Sequence, residues 1–183
     1  MSPTRWALAL SIVALAPPVR AQTTTPPAAA AADVQSMDAI MHAIYDVISG
    51  PAGPRDWNRF YSLFAPGARL IPTRRMADST PSIAAATPEE YAQRAGEYFS
   101  KNGFYEHEIG RTVETYGAIT QIFSAYASRH EASDPKPFAR GINSFQLFND
   151  GKRWYVVTIY WDAERPGNPI PERYLDRDAA RSK

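Results

Sequence analysis

Near Phe104 the spacing of apolar residues changes from three or four to two, and this change restricts the chain to one kind of architecture. Upstream, Met37, Ile40, Met41, Ile44, Val47 and Ile48 recur at helical spacing until Gly50-Pro51 ends the run. Trp57, Phe60, Tyr61 and Phe64 repeat the pattern over a shorter helix, which Pro66-Gly67 stops before a short apolar strand from Ala68 to Ile71. A polar turn follows, with Ser82 to Ala86 as a possible return strand. Thr87-Pro88-Glu89-Glu90 then reads as a capping box with proline at the first helical position, opening a helix striped by Tyr91, Ala95, Tyr98 and Phe99. Downstream, Tyr105 to Thr115, Ala118 to Glu131, Phe138 to Asn149 and Lys152 to Asp162 alternate as four strands. Helices that each bury one stripe and a meander that buries one face have one economical solution. The expected fold is α+β, with three N-terminal helices packed in the concave face of a strongly curved mixed or antiparallel sheet.

This domain is expected to span residues 33 to 166, with flanks of a different kind. Met1 to Ala21 has a basic residue, Arg5, ahead of an apolar run from Trp6 to Ala16 and small residues before Gln22, the pattern of a secretory signal peptide. The run is about half the roughly 20 residues of a spanning helix. Export to the periplasm or the exterior is the expectation, with no membrane span. Residues 22 to 32, QTTTPPAAAAA, form a linker with nothing large to bury, and residues 167 to 183 a proline-rich, charged, extended tail. Loss of the leader removes Arg5 and Arg20, so the net charge falls from +1 to about −1, which gives no electrostatic footprint for nucleic acid. Cysteine is absent, and with it disulfides, thiolate nucleophiles and cysteine metal sites.

Asp150-Gly151 predicts a two-residue hairpin in which Asn149 pairs with Lys152. That register puts Leu147, Phe145 and Asn143 on one face with Trp154, Val156, Thr158 and Tyr160. Arg140, Tyr155, Ile159 and Trp161 fall on the other. The first face is apolar near the turn and becomes polar at Asn143, Thr158 and Tyr160, as a ligand cavity requires. The second is rich in aromatic residues and arginine and is the expected surface for homodimerisation.

The order of elements, together with FYSLFAPGARLI after the second helix and FNDGKRWYVVTIYWD at the end, resembles the nuclear transport factor 2-like superfamily, which includes ketosteroid isomerase and the SnoaL-like cyclases. The resemblance covers about Asp33 to Glu164. It implies a cone in which the curved sheet wraps the helices around a deep apolar pocket, and often a homodimer through the outer sheet face. Of the residues that ketosteroid isomerase uses, the Asp base falls near Pro72, where no carboxylate stands; the protonated Asp falls near Asn143; and the helix-borne Tyr falls near Tyr45. The resemblance therefore implies groups able to hold an oxyanion without the family's base. The Asp-Arg-Asp set of limonene epoxide hydrolase has no counterpart beyond Arg129 and Glu131, at a strand end.

Among other candidates, His42, His107 and His130 have no metal-ligand spacing, and no metal or cofactor is expected. Unbroken alternation from Tyr105 puts His107 and Arg111 on one face between apolar neighbours, as a possible acid/base and anion anchor inside the cone. Glu106 and Glu108 fall on the opposite face. Trp57 and Tyr61 are the helix aromatics placed to touch a ligand. These readings lead to an exported domain that binds a small apolar or weakly polar molecule. The alternatives are a cofactor-independent lyase, isomerase or cyclase using His107 with Tyr45, Asn143 or Tyr160, and an accessory interaction domain with a filled pocket.

Overall fold

A computed structural model describes residues 27–175; the leader, most of the linker and the last part of the tail lie outside the described residues. The helices are α1 (Ala31–Val34), α2 (Met37–Ile48), α3 (Trp57–Ser62) and α4 (Pro88–Phe99). Ser36 caps α2 by accepting from the Ala39 amide at 3.1 Å. The far end of α2 is closed by Arg55, which donates to the carbonyls of Ile48 at 2.8 Å and Gly50 at 2.9 Å, satisfying groups that a helix end leaves open. Arg59 binds Asp33 at 2.8 Å and Asp46 at 2.5 Å, tying α3 to α1 and α2. On α4 the capping box forms in both directions, from Glu90 N to Thr87 and from Thr87 N to Glu90.

The strands are β1 (Phe64–Arg75), β2 (Pro81–Ile83), β3 (Tyr105–Tyr116), β4 (Ile119–Arg129), β5 (Ala139–Asn149) and β6 (Trp154–Ala163). They form one sheet in the order β2-β1-β6-β5-β4-β3, antiparallel except for the parallel pair β1 and β6. The helices pack on its inner face around a core that includes Ile40, Ile44, Phe60, Ile122 and Phe145. The α+β architecture is the expected one. The first strand is longer than Ala68 to Ile71, because Phe64 already pairs with Val156 and Pro66-Gly67 lies within the strand.

Two irregularities decide which side chains face inward. In β3, pairing with β4 slips between Glu108 and Gly110, leaving Ile109 as an extra residue. In β6, Val156 pairs with Leu147 but Thr158 pairs with Gln146, leaving Val157 as the extra residue. The hairpin loop is also longer than two residues. Asp150 accepts from the amides of Lys152 and Arg153, each at 2.8 Å, so Asn149 pairs with Trp154.

These features correct the expected faces. In β6, Ile159 and Trp161 turn inward, opposite Phe145 and Asn143, whereas Thr158 and Tyr160 turn outward, opposite Gln146 and Ser144. Of the four residues expected on the outer face, only Arg140, paired with Glu164 at 3.3 Å, and Tyr155, stacked on Phe148, lie there. In β3, Glu106 and Glu108 point inward and His107 points outward; beyond the bulge, Arg111 and Val113 face inward again. Part of the tail, moreover, is folded against the sheet. A 3-10 turn (Glu172–Tyr174) crosses the outer face, with Tyr174 stacked on Phe123 at 5.4 Å between ring centres. The tail lies so close to β3 that a Cβ at position 110 would stand 2.3 Å from the Tyr174 carbonyl oxygen, so only glycine fits there.

Candidate functional site

The inward faces of β3, β4 and β5 meet α2 in a chain of hydrogen bonds whose direction can be worked out. Arg111 Nε donates to Glu108 at 2.8 Å, and Ser124 donates to Glu108 at 2.5 Å. The single Ser124 proton is thereby committed. At 2.7 Å from Ser124, the Tyr45 hydroxyl must be the donor of that bond, and it accepts from Asn143 Nδ2 at 3.1 Å. Tyr45 and Asn143 are buried. The Tyr45 proton is thus directed into the sheet and not toward a ligand, contrary to what the resemblance implies for that position.

Glu106 lies two residues from Glu108 on the same face, in a different setting. Its carboxylate accepts from Ser128 at 2.7 Å and from Asn143 Nδ2 at 3.4 Å, and it forms no ion pair. Burial pushes this carboxyl up from 4.5 to about 7, against the lowering effect of its two donors. Tyr45, Tyr91 and Tyr126 are each raised above the usual phenol range, first by burial and then by the negative charge of Glu106. Three phenols therefore lie within the field of one carboxylate. Among the described residues, the hydroxyls of Tyr91 and Tyr126 have no hydrogen-bond partner.

These groups border a cavity of about 120 Å³ whose remaining walls are apolar, with Ile44, Leu70, Phe104, Phe145, Ile159 and Trp161 among them. The cone is therefore not packed solid. Glu106 is half-buried as a residue because it also borders an open groove of about 670 Å³ between α2 and the β3 edge. On the other side, between β1 and α4, lies a vestibule of about 280 Å³ that shares Leu70, Tyr91, Phe104 and Trp161 with the cavity.

The candidate residues from the sequence are divided among these spaces. Tyr45 and Asn143 border the cavity. His107 and Arg111 border the open groove, where Arg129 lies 3.3 Å from the His107 ring and Arg111 is held by Glu108 and by Asp38 at 3.0 Å. Trp57 stacks on Phe99 and Tyr61 packs on Phe60, both behind the cavity wall. Thr158 and Tyr160 lie on the outer face. Sequence reading missed Glu106, Tyr91, Tyr126 and Trp161 as lining residues. For Glu106 the available signal was Gly110, since an isolated glycine within a strand pattern marks a bulge and hence a change of face. Among the described residues, no group of three or more acidic or histidine side chains could hold a metal ion, and no helix is long and apolar enough to cross a membrane.

No protein-family model matches the chain, and no curated protein matches its sequence. Among solved structures, it is similar to a protein of unknown function with a cystatin-like fold from Nostoc punctiforme, with 12% identity over 71% of this chain and 89% of that one and a TM-score of 0.51. It is also similar to an NTF-2-like protein of unknown function from Silicibacter pomeroyi, with 8% identity over 71% of this chain and 94% of that one and a TM-score of 0.49. The described residues have a cystatin-like fold.

Proposed function

We propose that this is an exported domain that binds a small, mainly apolar molecule in the cavity, where Glu106, Tyr91 and Tyr126 read one polar group of it. The observation that carries the reading is the convergence of a carboxyl group without an ion partner and two unpartnered hydroxyls on an otherwise apolar space. Hydroxyls that line an apolar cavity without a protein partner are free to orient a ligand's polar group. The test is a titration of the isotopically labelled protein with phenol, an aromatic ring bearing one hydroxyl. Amide shifts centred on Tyr91, Glu106 and Asn143 are expected; an unchanged spectrum at these positions at millimolar phenol would sink the reading. Self-association belongs to the same proposal, through Phe148, Val157 and Tyr160, which are exposed on the outer face. Sedimentation of Tyr160→Glu beside the wild type tests it.

One observation favours a second reading, a cofactor-independent isomerase or lyase. A carboxyl titrating at about 7 beside an apolar cavity can both accept and return a proton near neutrality. In that reading the proton carrier is Glu106 and not His107, which lies outside the cavity. Turnover lost in Glu106→Gln with phenol binding retained is its expected signature, whereas turnover surviving that substitution opposes it.

A further inference from the structure

We propose that the molecule bound is an anionic amphiphile, whose apolar body enters through the vestibule and whose acidic group stays at the mouth between Arg74 and Arg94. This inference rests on the cavity-binding reading above and adds the chemical class of the ligand. The vestibule walls are mostly apolar, with Pro72, Ala86, Ala95, Tyr98 and Phe99 among them. Its charged lining residues are two arginines and no acid.

The two arginines lack the partners that hold several others in the fold. Arg55 gives its donors to the carbonyls of the loop after α2, Arg59 binds two aspartates, and Arg111 and Arg165 each lie against a carboxylate. Arg94, by contrast, reaches only the Glu90 carbonyl of its own helix, at 3.1 Å, and the Arg74 side chain has no hydrogen bond or ion pair among the described residues. The nearby Glu90 carboxylate is occupied in capping α4. Two exposed guanidinium groups without a carboxylate partner, one from β1 and one from α4, line the same mostly apolar vestibule and complement a carboxylate, sulfonate or phosphate ester.

The interior supplies the polarity of the arrangement. Tyr91 and Trp161 meet edge to face with ring centres 6.3 Å apart and border both the vestibule and the cavity, so the partition between the two spaces is made of side chains. Glu106 lies beyond it. An anionic head would meet like charge at Glu106 and opposite charge at Arg74 and Arg94, which leaves one orientation: tail inward, head at the mouth.

Calorimetric titration with 10-hydroxydecanoate and with decane-1,10-diol, which share an apolar body with a hydroxyl for Glu106 at its inner end and differ in charge at the other, tests the inference. In the wild type, the hydroxy acid is expected to bind about tenfold tighter than the diol. In the double variant Arg74→Met, Arg94→Met, which keeps the side-chain stems, the preference disappears while diol affinity holds within about twofold. Equal binding of the two probes to the wild type, or a preference that survives in the variant, overturns the inference and leaves the cavity reading in place. Failure of both probes to bind the wild type overturns the two together.

Discussion

Glu106 and Glu108 lie two residues apart on one strand, face the same way and each accept from a serine of β4, yet only Glu108 is given a cation. Arg111 reaches Glu108 because the extra residue Ile109 lets position 111 turn inward beside position 108. On the cavity side no such rotation brings a basic residue to Glu106, and the carboxyl is left to neutral donors. Compensated charge thus stands where the sheet meets the open groove alone, and uncompensated charge where it also meets the apolar cavity. A buried carboxyl without a cation weakens the fold when ionised, so its presence is easier to understand as a functional feature than as a structural one.

The largest expected effect comes from removing the uncompensated charge. Glu106 binds its proton more tightly in the folded chain, with a value of about 7, than in the unfolded chain, near 4.5. Its contribution to stability is therefore fully present below pH 4.5, is lost as pH rises through about 7, and is level above that. Glu106→Gln abolishes this loss, so the variant gains on the wild type by up to about 3 kcal/mol between pH 4.5 and pH 8.5, less whatever the groove side screens. Urea denaturation of both proteins across that range measures it. A difference that does not change with pH would mean that Glu106 carries no raised value in the folded chain.

Arg111→Met makes the two sites more alike from the other direction, by removing the guanidinium that lies 2.8 Å from Glu108. Both side chains of the pair keep about a fifth of their surface exposed, 18% and 20%, so the cost falls short of that of a fully buried pair. About 2 kcal/mol is expected near neutral pH, read as a lower urea midpoint. Tyr45→Phe cuts the chain that connects the two sites. It removes one bond to Ser124 and one from Asn143 and costs about 1 kcal/mol, while the pH slope due to Glu106 persists. Loss of that slope in Tyr45→Phe would show that the raised value of Glu106 depends on the intact chain.

The same two carboxylates mark how far the sequence could be read. Helical spacing and the Thr87 capping box place α2 and α4 where they are found, because such signals are local and act within a few residues. Asn143 faces inward on β5, a strand without an extra residue of its own, so alternation is sufficient there. Alternation carries only one bit of information per strand, however, and one extra residue inverts it. Ile109 exchanges His107 for Glu106, and Val157 exchanges Thr158 and Tyr160 for Ile159 and Trp161, whereas the longer Asp150 loop shifts the register by two and leaves the faces unchanged. The parallel pairing of Phe64 with Val156 and the packing of the tail over Gly110 depend on contacts between distant segments, which no local pattern encodes.

The smallest expected effect tests the comparison most finely. Ser128 does for Glu106 what Arg111 does for Glu108, but as a neutral donor, and it is buried with its hydroxyl 2.7 Å from the carboxylate. A bond to the charged form favours that form, so its removal in Ser128→Ala moves Glu106 further up, by about half a unit. The sign follows from linkage. With the folded value raised, the protein loses more stability across the interval from the unfolded value upward, so the variant matches the wild type near pH 4.5 and falls below it at pH 8.5 by under about 1 kcal/mol. Carbon-13 titration of the Glu106 carboxyl measures the shift directly. A move downward would mean that Ser128 holds the protonated form, acting as acceptor, and that Glu106 serves as a hydrogen-bond donor to the sheet rather than as the uncompensated charge of the cavity.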